Sequence, residues 1–380
     1  MPTEDTFQRR VASITLQGFK SIRALESFEL RPLNILIGAN GAGKSNFIGF
    51  FRLLAALARQ DLKRTIAASG GADRVLFLGR DTTEAIQATM SFGEYVYATR
   101  LLPTDDDGLI VDSDTFTEQR EAQVGNIIGV VSVAERESRL KPHYEAAEAR
   151  SFNNSYDARL RVVYRSLRSW IVYHFHDTSD GAAVKRRCDL VDGEVLREEG
   201  DNLAAFLYAL KHRNPAHYLR IVETVRLVAP FFDSFRVEPL PDNPQQTQLR
   251  WLQRGSDRIF DAGQLSDGTL RFICLAAALL QPDPPATILL DEPELGLHPY
   301  ALRLLGGMLA STSQQTQIIV STQSAALLND VEPEDVIVVE RGEDEGSTFR
   351  RLRREDLAVW LEEYSLGELW QKNVLGGRPQ

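Results

Sequence analysis

Residues 33–57, LNILIGANGAGKSNFIGFFRLLAAL, constrain this chain more than any other stretch. Leu33, Ile35, Leu36 and Ile37 make an apolar run, the pattern of a buried strand. Gly38 to Ser45, GANGAGKS, match the phosphate-loop pattern G-x-x-x-x-G-K-S, and the residues from Asn46 onward read as a helix. Strand, glycine-rich loop and helix in that order dictate a chemistry. Gly38, Gly41 and Gly43 let consecutive backbone N–H groups turn inward with no Cβ in the way. Those donors, along Gly38, Asn40, Gly41, Ala42, Gly43, Lys44, Ser45 and Asn46, join the helix N-terminus to cradle a polyphosphate. Lys44 is placed to reach the β- and γ-phosphates, and the Ser45 hydroxyl to ligate Mg²⁺.

Such a loop needs an acidic partner, and residues 286–292, ATILLDE, supply an apolar strand ending in two carboxylates. Asp291 suits the Mg²⁺ shell and Glu292 suits polarising the attacking water. The pair lies far downstream of Lys44, so both halves of the chain must fold together. Just before it, residues 264–271, QLSDGTLR, open an apolar helix at about Leu270. Taken alone, Ser266 or Asp267 is an N-cap. Between the other two motifs, Ser266, Gly268 and the helix N-terminus read as a second anion site, which makes sense if it serves a nucleotide held by another subunit.

The order GANGAGKS, LSDGTLR, LLDEPELGLHP, STQS resembles the ATPase heads of the ABC superfamily, and more narrowly the SMC/RecF/OLD-like branch, including compact ATPases with no nuclease domain attached. ITLQGFKSI near the N-terminus is similar to the opening strand and turn of that branch, and the likeness covers residues 11–60 and 230–345. The resemblance implies an α/β P-loop fold with an ABC-type head of two lobes and mixed parallel and antiparallel sheets. It implies ATP and Mg²⁺ as ligands, and a head-to-tail homodimer around two ATP molecules. Lys44, Ser45, Asp291 and Glu292 match the family's phosphate, metal and catalytic positions; Ser266, Asp267 and Gly268 match the signature that acts across the dimer. His298 falls where the D-loop crosses the dimer, and Gln119 is the candidate for the Q-loop glutamine. The chain departs from the family at Asp267, where a second glycine is usual, at Thr269, and at Gln323, which replaces the switch histidine. Glutamine can donate a hydrogen bond to a γ-phosphate but carries no proton, so slow hydrolysis is expected.

One ATPase head is expected over residues 1–380: an N-terminal lobe over 1–118, a mostly helical insertion over 119–230 without a long coiled coil, and a C-terminal lobe over 231–380. Helices are predicted for residues 133–150, 155–169, 202–211 and 215–228, and strands for 235–240 and 248–253. The helix after Ser45 is predicted to run to about Arg64. No apolar run approaches the roughly 20 residues of a membrane span, the N-terminus lacks a signal-peptide core, and Cys188 and Cys274 build no disulfide framework, which points to the cytoplasm. A net charge of −10 argues against a generally basic nucleic-acid binder. Basic clusters at Lys185, Arg186 and Arg187 and at Arg350, Arg351, Arg353 and Arg354 read either as a DNA track or as solvated faces. Arg64 and Arg74 follow the phosphate loop in a region from which SMC-like heads reach nucleotide or DNA. His174, His176 and Asp177 read as a strand end more readily than as a metal cluster. The ATPase would therefore serve an effector protein from the same operon, as in antiphage switches, or DNA repair and chromosome maintenance; the SDGT and STQS variants argue against a transporter subunit.

Overall fold

The computed structural model describes residues 10–120, 123–149 and 155–377. The chain opens with β1 (Ser13–Phe19), β2 (Ile22–Glu29), β3 (Leu33–Ile37), α1 (Lys44–Arg59) and α2 (Leu62–Ala68). Then come β4 (Ile86–Phe92), β5 (Tyr95–Pro103), β6 (Leu109–Arg120), β7 (Gln123–Glu135), α3 (Leu140–Glu148), α4 (Ser155–Ser169) and β8 (Ile171–Tyr173). The middle holds β9 (Cys188–Asp189), α5 (Leu203–Arg213), α6 (Pro215–Val228), β10 (Phe232–Phe235), β11 (Gln246–Thr247), β12 (Arg250–Gln253) and β13 (Ile259–Asp261). The last part runs through α7 (Asp267–Leu279), β14 (Thr287–Asp291), α8 (Pro299–Thr312), β15 (Gln317–Ser321), β16 (Val336–Arg341), β17 (Ser347–Arg351), α9 (Arg354–Leu361) and α10 (Leu366–Gln371).

Two six-stranded sheets organise the described residues. One is antiparallel, in the order β2-β1-β4-β5-β6-β7. The other runs β17-β16-β3-β15-β14-β8, with β16 through β8 parallel and β17 antiparallel at the edge. Side chains alternate across this second sheet and so feed two cores. Leu36, Val172, Leu289, Ile319 and Ile337 face α1 and the antiparallel sheet. Ile35, Ile37, Leu290, Val320 and Val338 face the helices α5 to α8. Helix α1 is apolar nearly all round because it is covered on both sides: Phe47, Phe50, Phe51 and Leu54 are buried, and Phe51 packs on Trp170 with ring centroids 5.0 Å apart.

The topology carries the site. Parallel strands β3, β14 and β15 all end on one side of the sheet, where α/β folds place their ligands. The mixed parallel and antiparallel architecture is the one expected, and the longest helix among the described residues has 16 residues.

Several elements differ from their sequence pattern. The helix expected to run to Arg64 breaks at Gln60, which is left-handed (φ 61°), and α2 restarts because the Glu137 carboxylate accepts from Leu62 N (3.0 Å) and Lys63 N (2.9 Å). The helix expected over residues 133–150 is only α3. Its first three residues instead close β7, with Val111 paired to Glu135 and Ser113 to Val133, and Ser138 Oγ then accepts from Leu140 N. The antiparallel sheet thus continues past residue 118, and the segment expected to be mostly helical opens with a strand. The strand expected over residues 235–240 sits earlier, at β10, because Pro239 and Pro241 remove ladder donors. Helices α4 and α6 match their predicted bounds.

Candidate nucleotide site

The phosphate loop is held from below before any ligand is considered. Gly38, Gly41 and Gly43 are all left-handed or near it, with φ of 154°, 79° and 115°. A Cβ on Gly38 would stand 2.2 Å from Val339 O, and one on Gly43 would stand 2.1 Å from Ser347 Oγ. Ser347 Oγ donates to Ala42 O (2.6 Å) and lies 2.7 Å from Ser21 Oγ, which also accepts from Asn46 Nδ2 (2.7 Å). Two serines, from the β1–β2 turn and from β17, therefore buttress the loop. Ser21 lies within the ITLQGFKSI stretch, whereas Ser347 carries no sequence signal and lies some three hundred residues from the loop it supports. Lys44 is buried and its Nζ donates to Gly38 O (2.7 Å) and Ala39 O (3.0 Å). Burial pulls its ammonium below the ordinary lysine value, against the opposing charges of Glu292, Asp291 and Glu294.

The two halves of the chain meet at Asp291. Strand pairing sets Asp291 beside Ser321, and Asp291 Oδ1 accepts from Ser321 Oγ and from Ser45 Oγ (3.1 Å). A hydroxyl and a carboxylate at this distance form a hard-oxygen donor pair, the chemistry Mg²⁺ takes. Glu292 follows in the left-handed region (φ 44°), strained for a side chain with a Cβ, and its N–H bonds Ser321 O (2.9 Å). That bend brings its carboxylate to Gln323, whose Nε2 donates to Glu292 Oε1. Gln323 N donates to Glu294 Oε1 (2.6 Å), and burial raises the Glu294 carboxyl above its usual range.

Ser266 caps α7, accepting from Thr269 N (3.2 Å) and sharing a 2.8 Å contact with Thr269 Oγ1. Ser266 and Asp267 are exposed, and among the described residues no hydrogen bond joins Ser266, Asp267 or Gly268 to Gly38–Asn46. Gly268 is tight instead against the loop after β14: a Cβ there would lie 2.3 Å from Gly296 O. Arg271 ties the same region together, with Nη1 to Leu295 O (2.7 Å), Nε to Phe175 O (3.1 Å) and Nη2 to His176 O (2.7 Å). Arg271 stands within LSDGTLR, but no pattern in that motif sets it apart. His298 is exposed and caps α8 through Nδ1 and Tyr300 N (3.2 Å).

Strand β8 pairs with β14 and leads directly into His174. Its ring is bonded at Nε2 by Arg52, which sits near Glu198, and burial, then the Arg52 charge, pulls it down to about 4. His176 lines a small cleft with Arg271, Asp291 and Glu292. Among the described residues no group of three or more His, Cys, Asp and Glu side chains is gathered to hold a metal. Gln119 lies in β6, but its side chain falls outside the described residues. Many side chains of the basic clusters are bonded within the fold: Lys185 on Thr178 O, Arg186 on Gly181 O, Arg187 on Asp242, and Arg351 on Glu29 O, Glu334 O and Asn34.

A phosphate loop on β3, an acidic end on β14 and an ABC-like order of motifs within one mixed sheet define the fold of an SMC/ABC-like P-loop ATPase. The chain belongs to the family described as "AAA domain, putative AbiEii toxin, Type IV TA system", whose model matches residues 33–329. The fold is similar to the SmcHead bound to the C-winged helix domain of ScpA, with TM-score 0.55, 16% identity, and 92% of this chain and 99% of that one covered. It is also similar to the Smc head domain with an extended coiled coil bound to the C-terminal domain of ScpA from Pyrococcus furiosus, with TM-score 0.54, 12% identity, and 93% and 98% covered. No curated protein matches the chain. Among the described residues no helix is long and apolar enough to cross a membrane.

Proposed function

We propose that this chain is a slow, Mg²⁺-dependent ATP hydrolase that acts in the cytoplasm as a nucleotide-driven switch. ATP closes two copies into a homodimer, and hydrolysis opens it. In this reading Gly38–Asn46 hold the phosphates and Lys44 offsets charge at the β- and γ-phosphates. Ser45 and Asp291 hold Mg²⁺, which when bound neutralises charge developing on the phosphate oxygens. Glu292 polarises the attacking water, and Gln323 orients Glu292 while offering no proton of its own. Ser266, Asp267 and Gly268 of one copy complete the site of the other, near the partner's phosphate loop and beside the segment ending in His298.

One observation carries the reading. The Ser45–Asp291 contact (3.1 Å) gathers the phosphate loop and both acids in one copy, while Ser266 stands exposed and apart. A complete γ-phosphate cage then needs a second molecule, and the differential affinity of ATP for the closed form drives closure. The family description supports an effector protein from the same operon as the partner, in an antiphage-type switch. A DNA repair or chromosome-maintenance role has less support, since many of the basic side chains are already bonded within the fold, to carboxylates or backbone carbonyls.

Light scattering tests the closure. Glu292→Gln with Mg-ATP should run as a dimer, and Ser266→Arg should remain monomeric while still binding ATP. A monomer in every case would end the dimer reading. ATPase stimulation by duplex DNA with a steep salt dependence would move the function toward the DNA role.

A further inference from the structure

We infer that the C-terminal module, residues 354–377, is a positioning element of the nucleotide site that clamps the phosphate loop and the switch segment together. The inference rests on the ATP-binding reading above. After α10 the chain turns back through Val374, whose N–H bonds Leu369 O (2.9 Å). It then lays Leu375 to Gly377 across the end of β16. Arg350 Nη2 donates to Leu375 O (2.7 Å), and Gly377 N donates to Glu340 Oε1 (2.8 Å). Leu375 and Gly377 are buried. Gly376 and Gly377 are both left-handed, with φ of 79° and 80°. A Cβ on Gly377 would stand 3.3 Å from Gly38 Cα and 3.0 Å from Val338 Cγ1. The strap therefore lies directly on the first glycine of the phosphate loop.

The same module grips the other side of the site. Helix α10 packs on the turn Ala325–Asp330, which follows Gln323 by a single residue. Gly367 N donates to Asn329 Oδ1 (3.1 Å), and a Cβ on Gly367 would lie 2.3 Å from Ala325 O. One short module thus touches Gly38, whose carbonyl anchors Lys44, and the segment that carries Gln323 to Glu292.

The physical consequence concerns order. A loop with three glycines loses much backbone freedom on fixing, so ligand binding must supply that ordering unless the fold supplies it first. Contact at Gly38 supplies it, and the strap thereby raises ATP affinity by pre-organisation. The grip on Ala325 and Asn329 acts later, on the orientation of Gln323 and hence on turnover.

Three variants test this by calorimetric titration of Mg-ATP and by steady-state hydrolysis. Glu340→Ala removes the strap's anchor from an exposed position, Gly377→Val forces a branched side chain against Gly38, and truncation after Asn373 removes the strap. The first two should raise the Kd for ATP about fivefold with kcat within twofold, and the truncation should reproduce the larger of the two effects. Asn329→Ala should lower kcat with Kd unchanged. Melting temperatures separate these shifts from unfolding, and Glu340→Ala remains informative if the truncation fails to fold. Wild-type affinity in Glu340→Ala and Gly377→Val, with hydrogen exchange showing residues 374–377 released, overturns the strap. Absence of ATP binding by the wild type overturns the ATPase reading itself, and the strap with it.

Discussion

Gln323 Nε2 donates to the carboxylate of Glu292, and the same residue's backbone N–H holds Glu294 at 2.6 Å. One residue just past the end of β15 therefore fixes the acid that follows β14. The bond is charge-assisted and lies beside the Ser45–Asp291 contact, so it positions Glu292 without consuming its charge. Gln323→Ala should lower kcat about tenfold, equivalent to about 1.4 kcal/mol of barrier, with ATP affinity changed little. Turnover at the wild-type rate in that variant, in a protein that hydrolyses ATP fast without a partner, would refute both the positioning role and the expectation of slow hydrolysis.

Gly268 and Gly296 give a packing prediction independent of any ligand. The α7 helix start and the loop after β14 approach so closely that a Cβ on Gly268 would lie 2.3 Å from a backbone carbonyl. Gly268→Ala should destabilise the fold by about 1–3 kcal/mol through forced backbone movement. Gly263, a few residues earlier, has open space where a methyl would stand. Gly263→Ala should stay within about 0.5 kcal/mol of wild type in the same denaturant titration. Equal effects from the two would mean the close approach carries no strain.

Much of this site is legible in the sequence because its chemistry is local. Leu33 to Ser45 and Ile288 to Glu292 each place an apolar strand directly before the reactive residues, and β3 and β14 form as the pattern requires. What stays hidden is non-local. Ser347 and Ser21 meet beneath Gly43 across most of the chain, Glu137 caps a helix begun at Leu62, and Arg271 reaches carbonyls on two other loops. No periodicity encodes such contacts. The end of β7 escapes for another reason. Residues 133–135 carry apolar and charged side chains that suit a helix, and only pairing with Val111 and Ser113 makes them a strand.

His174 should make the fold sensitive to mild acid. Its neutral ring accepts from Arg52 at Nε2, with Asp291 and His176 also facing it, and its value falls from 6.5 to about 4. Between those limits the unfolded chain binds a proton that the folded chain refuses. The folded-state advantage is therefore complete above pH 6.5 and is lost progressively as pH falls toward 4. His174→Asn keeps an acceptor for Arg52 and removes the titration. The loss of stability from about pH 7.5 to about pH 5, read from urea midpoints, should be smaller in the variant than in the wild type. Identical losses would exclude His174 as the source.

Arg271 offers the sharpest test of how the site's loops are held. Its guanidinium spends Nε, Nη1 and Nη2 on three backbone carbonyls, at Phe175, Leu295 and His176. Two of those belong to the segment leaving β8 and one to the loop between Glu294 and α8, so a single side chain ties both to α7. Lysine carries the same charge but no planar fork, and one ammonium cannot serve three carbonyls fixed in this arrangement. Hydrogen bonds from a charged donor contribute about 1.5–3 kcal/mol each, so Arg271→Lys should cost on the order of one such bond in global stability. The local effect should be larger than the global one. Hydrogen exchange should rise at residues 174–177 and 294–298, while Gly38–Ser45, buttressed separately by Ser21 and Ser347, should keep its protection. ATP affinity would then hold while turnover falls, because the phosphate loop stays ordered and the Glu292 loop does not. Uniform loosening of all three segments would instead mark Arg271 as part of the general core.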